Sequence, residues 1–254
     1  MANVTSKFGP GNPTPSTADV TSALTNLCDD SITNACPQSS IGQNLTDFYT
    51  ACSTELTTHA MEDVRNIYDV LYSLLPLKES VCSKDDSGNS CVNGPSTSTR
   101  DFDEDSDKSP FGLSDILALF YIKKDNGALM RRDQLDITPN FTAIYEANIL
   151  FVFFSSNLTA SQLCVTCLRQ ILTAYINFES SVPFAYGINN SVLLSSQPAL
   201  YTAVQDKCPQ NFLSGAVEAA GGLSGSSSSS AYGADYQRII TLVMGAVALV
   251  AVAL

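Results

Sequence analysis

At 254 residues the chain is long enough for one or two domains with a true core, and 25 acidic against 13 basic residues give it a net charge of −12. That balance excludes a nucleic-acid partner, because phosphate binding needs clustered Lys and Arg. Eight cysteines (Cys28, Cys36, Cys52, Cys82, Cys91, Cys164, Cys167 and Cys208) are too many for an ordinary cytosolic chain and imply up to four disulfides in an oxidising compartment.

Residues 1–16 are polar and carry Gly9, Pro10, Gly11, Pro13 and Pro15, the composition of a flexible lead-in. A cysteine-rich helical domain is expected over 17–220. Val20, Ala23, Leu24, Leu27 and Cys28 keep helical spacing. After a turn at Cys36-Pro37, a second helix is marked by Leu45, Phe48, Tyr49, Cys52 and Leu56, with Cys52 on its core side. Val64, Ile67, Tyr68, Leu71, Leu74 and Leu75 mark a third, which Pro76 is expected to stop.

Cys82 and Cys91 bracket the turn-forming stretch SKDDSGNS, a spacing that suits a local bridge, although eight cysteines allow many pairings. Residues 93–110 hold five acids in the seven positions from Asp101 to Asp107 and read as a disordered acidic loop. A calcium site in DFDEDSD lacks the Gly and the terminal Glu of EF-hand spacing. Leu113 to Ile122 reads as a short amphipathic helix, followed by a polar stretch with Arg131-Arg132, an exposed pair or a processing site. ILFVFF, residues 149–154, is expected to be an extended buried segment.

Thr159 and Gln162 have capping-box spacing ahead of a single long helix. Its apolar stripe runs through Leu163, Cys164, Cys167 and Leu168, then Ile171, Leu172, Tyr175 and Ile176 to Phe178, and Pro183 ends it. Pro198 opens another helix with Leu200, Tyr201 and Val204, closed near Cys208-Pro209, and a last amphipathic piece uses Phe212, Leu213, Ala216 and Val217. The expected fold is mainly α: a disulfide-stapled helical bundle with a long acidic loop, a Ser/Gly-rich stalk and a C-terminal hydrophobic tail.

That tail points to a compartment. Ile239 to Leu254 is sixteen residues without a charge, roughly 24 Å as a helix against a hydrocarbon core of about 30 Å. Ahead of it, residues 221–238 supply small residues and a polar spacer, the pattern of a glycosylphosphatidylinositol (GPI) signal. Ser226, Ser227 and Ser228 are equivalent candidates for the attachment residue. A single-pass membrane helix is the competing reading. Five Asn-x-Ser/Thr sequons, at Asn3, Asn44, Asn140, Asn157 and Asn189, agree with passage through the secretory pathway. The opening MANVTSKFGPGNP has no basic n-region and no apolar h-region, so the anchor reading implies a truncated start.

Motifs for chemistry are few. Cys164-Val-Thr-Cys167 has redox spacing, but both cysteines lie in the apolar stripe without a surrounding βαβ pattern, so each is expected to be stapled to a different neighbour, which disfavours zinc as well. His59 is the one histidine, and no G-x-S-x-G, H-E-x-x-H or P-loop occurs. Neither a catalytic residue nor a cofactor or metal set is therefore assigned. Paired glycosidase carboxylates leave no sequence motif and stay open.

IYDVLYSLLPLKESVCSKDDSG (67–88), LCVTCLRQILTAYINFES (163–180) and QPALYTAVQDKC (197–208) resemble a fungal family of GPI-anchored surface proteins with one cysteine-rich domain. The resemblance covers roughly residues 28–208, and its most specific part is the LCxxC helix. Cys82, Cys91, Cys164, Cys167 and Cys208 match the family's cysteine positions. The resemblance implies a secretory signal, one helical domain and a lipid anchor, and no activity. The chain does not resemble the eight-cysteine fungal haem-binding module, whose cysteines crowd into a shorter span.

The expected function is thus a GPI-anchored, N-glycosylated surface or cell-wall protein with a structural or binding role. Its partners would be the membrane through the lipid, and wall polysaccharide or other surface proteins. The alternatives are a wall-polysaccharide hydrolase with paired carboxylates and an extracellular redox protein using Cys164 and Cys167.

Overall fold

The computed structural model describes residues 17–93, 121–123 and 137–213. The lead-in, nearly all of the acidic loop, Arg131-Arg132, Ala216, Val217, the stalk, Ser226 to Ser228, Asn3 and the hydrophobic tail lie outside them.

Nine helices are present among the described residues: α1 (Thr17–Leu27), α2 (Asp30–Ala35), α3 (Gln38–Ala51), α4 (Ser53–Leu56), α5 (Glu62–Cys82), α6 (Phe141–Glu146), α7 (Ala160–Leu163), α8 (Thr166–Ser181) and α9 (Gln197–Lys207). Two three-residue strands, β1 (Tyr121–Lys123) and β2 (Ile137–Pro139), pair antiparallel with Tyr121 opposite Pro139. β1 takes the last two positions of the helix expected over 113–122. Tyr121 and Ile122 favour pleated backbone once a partner strand is beside them. The chain is a mainly helical, disulfide-stapled domain.

The long helices α5 and α8 pack against each other more extensively than any other pair. From α5 come Tyr68, Leu71, Tyr72, Leu77 and Val81, and from α8 Leu168, Ile171, Leu172, Tyr175, Ile176 and Phe178, all buried. Removing each such side chain from water contributes about 1.5–3 kcal/mol. Rings interlock across the seam: Tyr72 meets Phe178 edge-on at 5.0 Å and Phe184 at 4.7 Å. Helix α3 crosses the end of α8 closely enough that a Cβ on Gly42 would meet Val182 at 3.2 Å. That close approach accounts for a glycine inside a helix, where it costs about 1 kcal/mol relative to Ala.

Pro76 does not stop its helix. It lies buried inside the 21-residue α5, which runs on to Cys82. The proline removes the N–H that would bond the Tyr72 carbonyl, a loss of one ladder bond. Burial of Leu77 and Val81 beyond it outweighs that loss. Serines pack around the proline, Ser73 Oγ donating to the Asp69 carbonyl and Ser80 Oγ to that of Pro76, both at 2.7 Å.

The expected long helix from Thr159 is two helices. Its capping box forms as anticipated, but α7 ends after one turn and the chain breaks at Cys164-Val165 before α8. In an unbroken helix residues i and i+3 share a face, so Cys164 and Cys167 would point together. The break turns them apart, to Cys208 and to Cys91 respectively.

ILFVFF is buried but not extended. Ile149–Phe151 form a 3-10 turn, flanked by left-handed residues Asn148 (φ 52°), Val152 (φ 50°) and Phe153 (φ 65°). An extended strand would send alternate side chains outward. The turns bury Ile149, Leu150, Phe151, Val152 and Phe154 together. They also satisfy the backbone locally, with Phe151 N–H bonding the Asn148 carbonyl and Val152 N–H that of Ile149. Asn tolerates this conformation, whereas a β-branched Val in it is an outlier held by packing.

Three disulfides join Cys28 to Cys82, Cys91 to Cys167 and Cys164 to Cys208. The local Cys82–Cys91 bridge is therefore absent. The turn between those cysteines closes by other means, since Cys91 N–H bonds the Ser83 carbonyl and Asp85 accepts from the Ser87 and Asn89 amides. A fourth bridge is also absent: Cys36 and Cys52 are free. They stand at opposite ends of the 14-residue α3, roughly 21 Å long, whereas a disulfide needs Cα atoms about 4.4–6.8 Å apart. Non-reducing peptide mapping of the native protein is expected to recover the three linked pairs, with Cys36 and Cys52 open to alkylation. A Cys82–Cys91 linked peptide would contradict this connectivity.

Candidate functional site

Two polar features stand out from the helical core. The first is the carboxylate of Asp69, on the inner face of α5 and wholly buried. The Tyr186 hydroxyl donates to its Oδ1. Oδ2 accepts from Ser191 Oγ at 2.7 Å, Val192 N–H at 2.7 Å and Leu193 N–H at 3.0 Å. Ser191 Oγ in turn accepts from Leu194 N–H at 2.7 Å. Nearby, the Tyr68 hydroxyl accepts from Ala185 N–H, and the Arg65 guanidinium lies over the Tyr186 ring at 5.2 Å. Every group converging on Asp69 belongs to the segment after α8, so the carboxylate acts as a latch for 184–194. Burial raises its pKa, opposed by the hydrogen bonds from Tyr186, Ser191 and the two amides.

The second feature is an open groove of about 450 Å³ between the end of α5 and the outer face of α8, a size within the range of small-ligand sites. Helix α5 contributes Glu79, and Ser83 follows at its end. Helix α8 contributes Arg169, Gln170, Thr173, Ala174 and Asn177, a stripe beside its apolar one. Asn211 and Phe212 close the far side, with the Arg169 guanidinium 6.0 Å from the Phe212 ring centre. Among the lining residues, the small Ala174 is buried. Glu79 shows to solvent, yet the groove walls desolvate its carboxyl enough to raise its pKa, against a pull downward from Lys78. Among the described residues its oxygens accept no hydrogen bond.

Neither feature is visible in the sequence as a site. The signal for Asp69 is a single acid set among the apolar positions Tyr68, Leu71 and Tyr72. The groove residues are ordinary polar side chains on the solvent side of two helices and carry no motif.

The sequons occupy different surroundings. Asn157 and Asn189 are exposed, whereas Asn44, within α3, and Asn140 are half-buried. Asn140 also caps α6, its Oδ1 accepting from Ala143 N–H. Cys164 and Cys167 sit in separate bridges, so the CxxC pair does not close on itself. Glu79 is the only carboxylate among the groove's lining residues, whereas paired-acid glycoside hydrolysis needs two about 5–10 Å apart. Glu179 is engaged elsewhere by Gln197 Nε2 at 3.1 Å. No three His, Cys, Asp or Glu side chains among the described residues come together in a way that could hold a metal ion. Among the same residues no helix is long and apolar enough to cross a membrane. No protein-family model, curated protein or solved structure matches the chain.

Three carboxyls, Asp69, Glu79 and Glu179, have pKa values raised chiefly by burial. A raised value in the folded state means that folding favours the protonated form. The stability it brings is complete below the ordinary carboxylate range of about 4 and is lost as pH rises through the raised values. The exposed Asp29 and Asp85 are lowered by local hydrogen bonds and act in the opposite sense, below pH ~4. The denaturant midpoint is therefore expected to be highest in the mildly acidic range and to fall towards neutrality. A midpoint that rises steadily from pH 5 to 8 would contradict it.

Proposed function

We propose that the chain is a GPI-anchored, N-glycosylated domain displayed on the outer face of a fungal plasma membrane or wall, with a binding role. The observation that carries this reading is the set of three disulfides, which join residues 44 to 76 positions apart and so hold the whole domain together. Such bridges form and persist in oxidising compartments. The apolar stretch 239–254 behind small residues and a spacer, together with the five sequons, supports the same compartment. The groove supports binding as the task, because it offers many polar contacts around one carboxylate.

The anchor is tested by expressing the chain behind a working secretion signal in a fungal host and treating the membranes with phosphatidylinositol-specific phospholipase C. Release into the aqueous phase, with residues 239–254 missing by mass spectrometry, is the expected outcome. Retention with that block intact would make it a membrane helix and overturn the reading.

The sequons are expected to differ in use. Asn157 is exposed, and Thr159 two positions on is exposed with it. Asn189 is exposed too, but the hydroxyl of Ser191, which completes its sequon, is buried against Asp69. A transferase that engages that hydroxyl must act before the 184–194 segment docks. Glycopeptide mapping is expected to show lower occupancy at Asn189 than at Asn157, and the reverse order would contradict the docked geometry.

A further inference from the structure

We propose that the groove between α5 and α8 binds a neutral glycan chain of the surrounding wall. The inference deepens the surface-binding reading and rests on it for the source of the ligand.

A sugar hydroxyl both donates and accepts, so a site that recognises it needs groups able to do both. The side-chain amides of Gln170, Asn177 and Asn211 have that capacity and line one groove, and Ser83 Oγ, which donates to the Ser80 carbonyl at 2.7 Å, keeps its acceptor capacity there. The Glu79 carboxylate adds an acceptor that no described residue uses. The Arg169 guanidinium adds a planar donor on the opposite helix.

Charge narrows the class. One carboxylate and one guanidinium face the groove, so its lining is near neutral although the chain carries −12. An anionic ligand would meet the repulsion of the whole chain with a single arginine to hold it. A polycation would be recognised by clustered carboxylates, and Glu79 stands alone. Phe212 supplies an apolar wall for the C–H face of a sugar ring, in the way aromatic side chains offer a flat surface beside polar contacts. The groove opens to solvent rather than enclosing its contents, which suits a segment of a longer chain better than an enclosed single ring.

The test is calorimetric titration of the full chain, purified from a secreting host, with neutral oligomers of β-1,3-glucan, chitin and α-mannan. Oligogalacturonate and chitosan oligomers serve as anionic and cationic controls. One of the neutral oligomers is expected to bind. Asn177→Ala and Glu79→Gln are each expected to weaken it about tenfold, the effect of one hydrogen bond to a charged or well-placed group. Both positions are exposed, so both variants are expected to fold. Asn177→Ala is expected to leave thermal unfolding unchanged, and Glu79→Gln to be at least as stable as the parent at neutral pH, because it removes a partly desolvated carboxylate. The proposal is overturned by any of three results: no neutral oligomer binding at millimolar concentration, a charged oligomer binding more tightly, or wild-type affinity in both variants. Binding by a chain that phospholipase cannot release would sink the anchor and keep the groove. Release without binding would do the opposite.

Discussion

The seam between α5 and α8 is the contact on which the rest of the molecule depends. It buries most of the aromatic and aliphatic side chains of both helices, and the other described features attach to it. The latch at Asp69 projects from α5 and holds the chain that leaves α8. The Cys91–Cys167 disulfide ties the turn after α5 to the first turn of α8. The groove is the solvent side of the same seam, with Glu79 from one helix and Arg169 from the other. A shift of one helix along the other would disturb packing, latch and groove together.

Around this seam buried polar groups hold neighbouring segments in position. A buried carboxylate is costly unless its oxygens are fully engaged. Asp69 meets that condition by gathering two hydroxyls and two backbone amides from a segment without long helices of its own. The effect is to tie 184–194 to α5 through four hydrogen bonds. Arg65 extends the arrangement outward, covering the Tyr186 ring while donating to the Leu56 carbonyl at 2.8 and 3.0 Å, so that α4, α5 and the latched segment share one connection.

Much of this architecture is legible in the residues. The stripe from Leu163 to Phe178 and the Thr159–Gln162 box show α8 and its approach, and Pro198 marks the start of α9. What cannot be read comes from interactions distant in sequence. Pro76 looks like a stop because the local ladder loses a bond, and only the packing of Leu77 and Val81 carries the helix past it. The run ILFVFF fits a strand by composition, but among the described residues no strand lies beside it, and a tight turn buries more of it. Cysteine pairing depends on which helix ends meet, so Cys82 reaches Cys28 just past α1 rather than nearby Cys91. The groove is invisible because Arg169, Gln170, Thr173 and Asn177 read as an ordinary wet helix face until α5 and Phe212 are placed beside them.

Long-range bridges that hold a helical core together are the centre of this picture. They are tested most directly by comparing denaturant unfolding of the full chain before and after reduction, followed by near-ultraviolet circular dichroism. Each bridge lost removes about 2–4 kcal/mol, against a typical total stability of about 5–15 kcal/mol. A cooperative transition is expected for the oxidised protein, with little or no native signal once all three bridges are reduced. A reduced chain that unfolds at the same midpoint as the oxidised one would contradict that dependence.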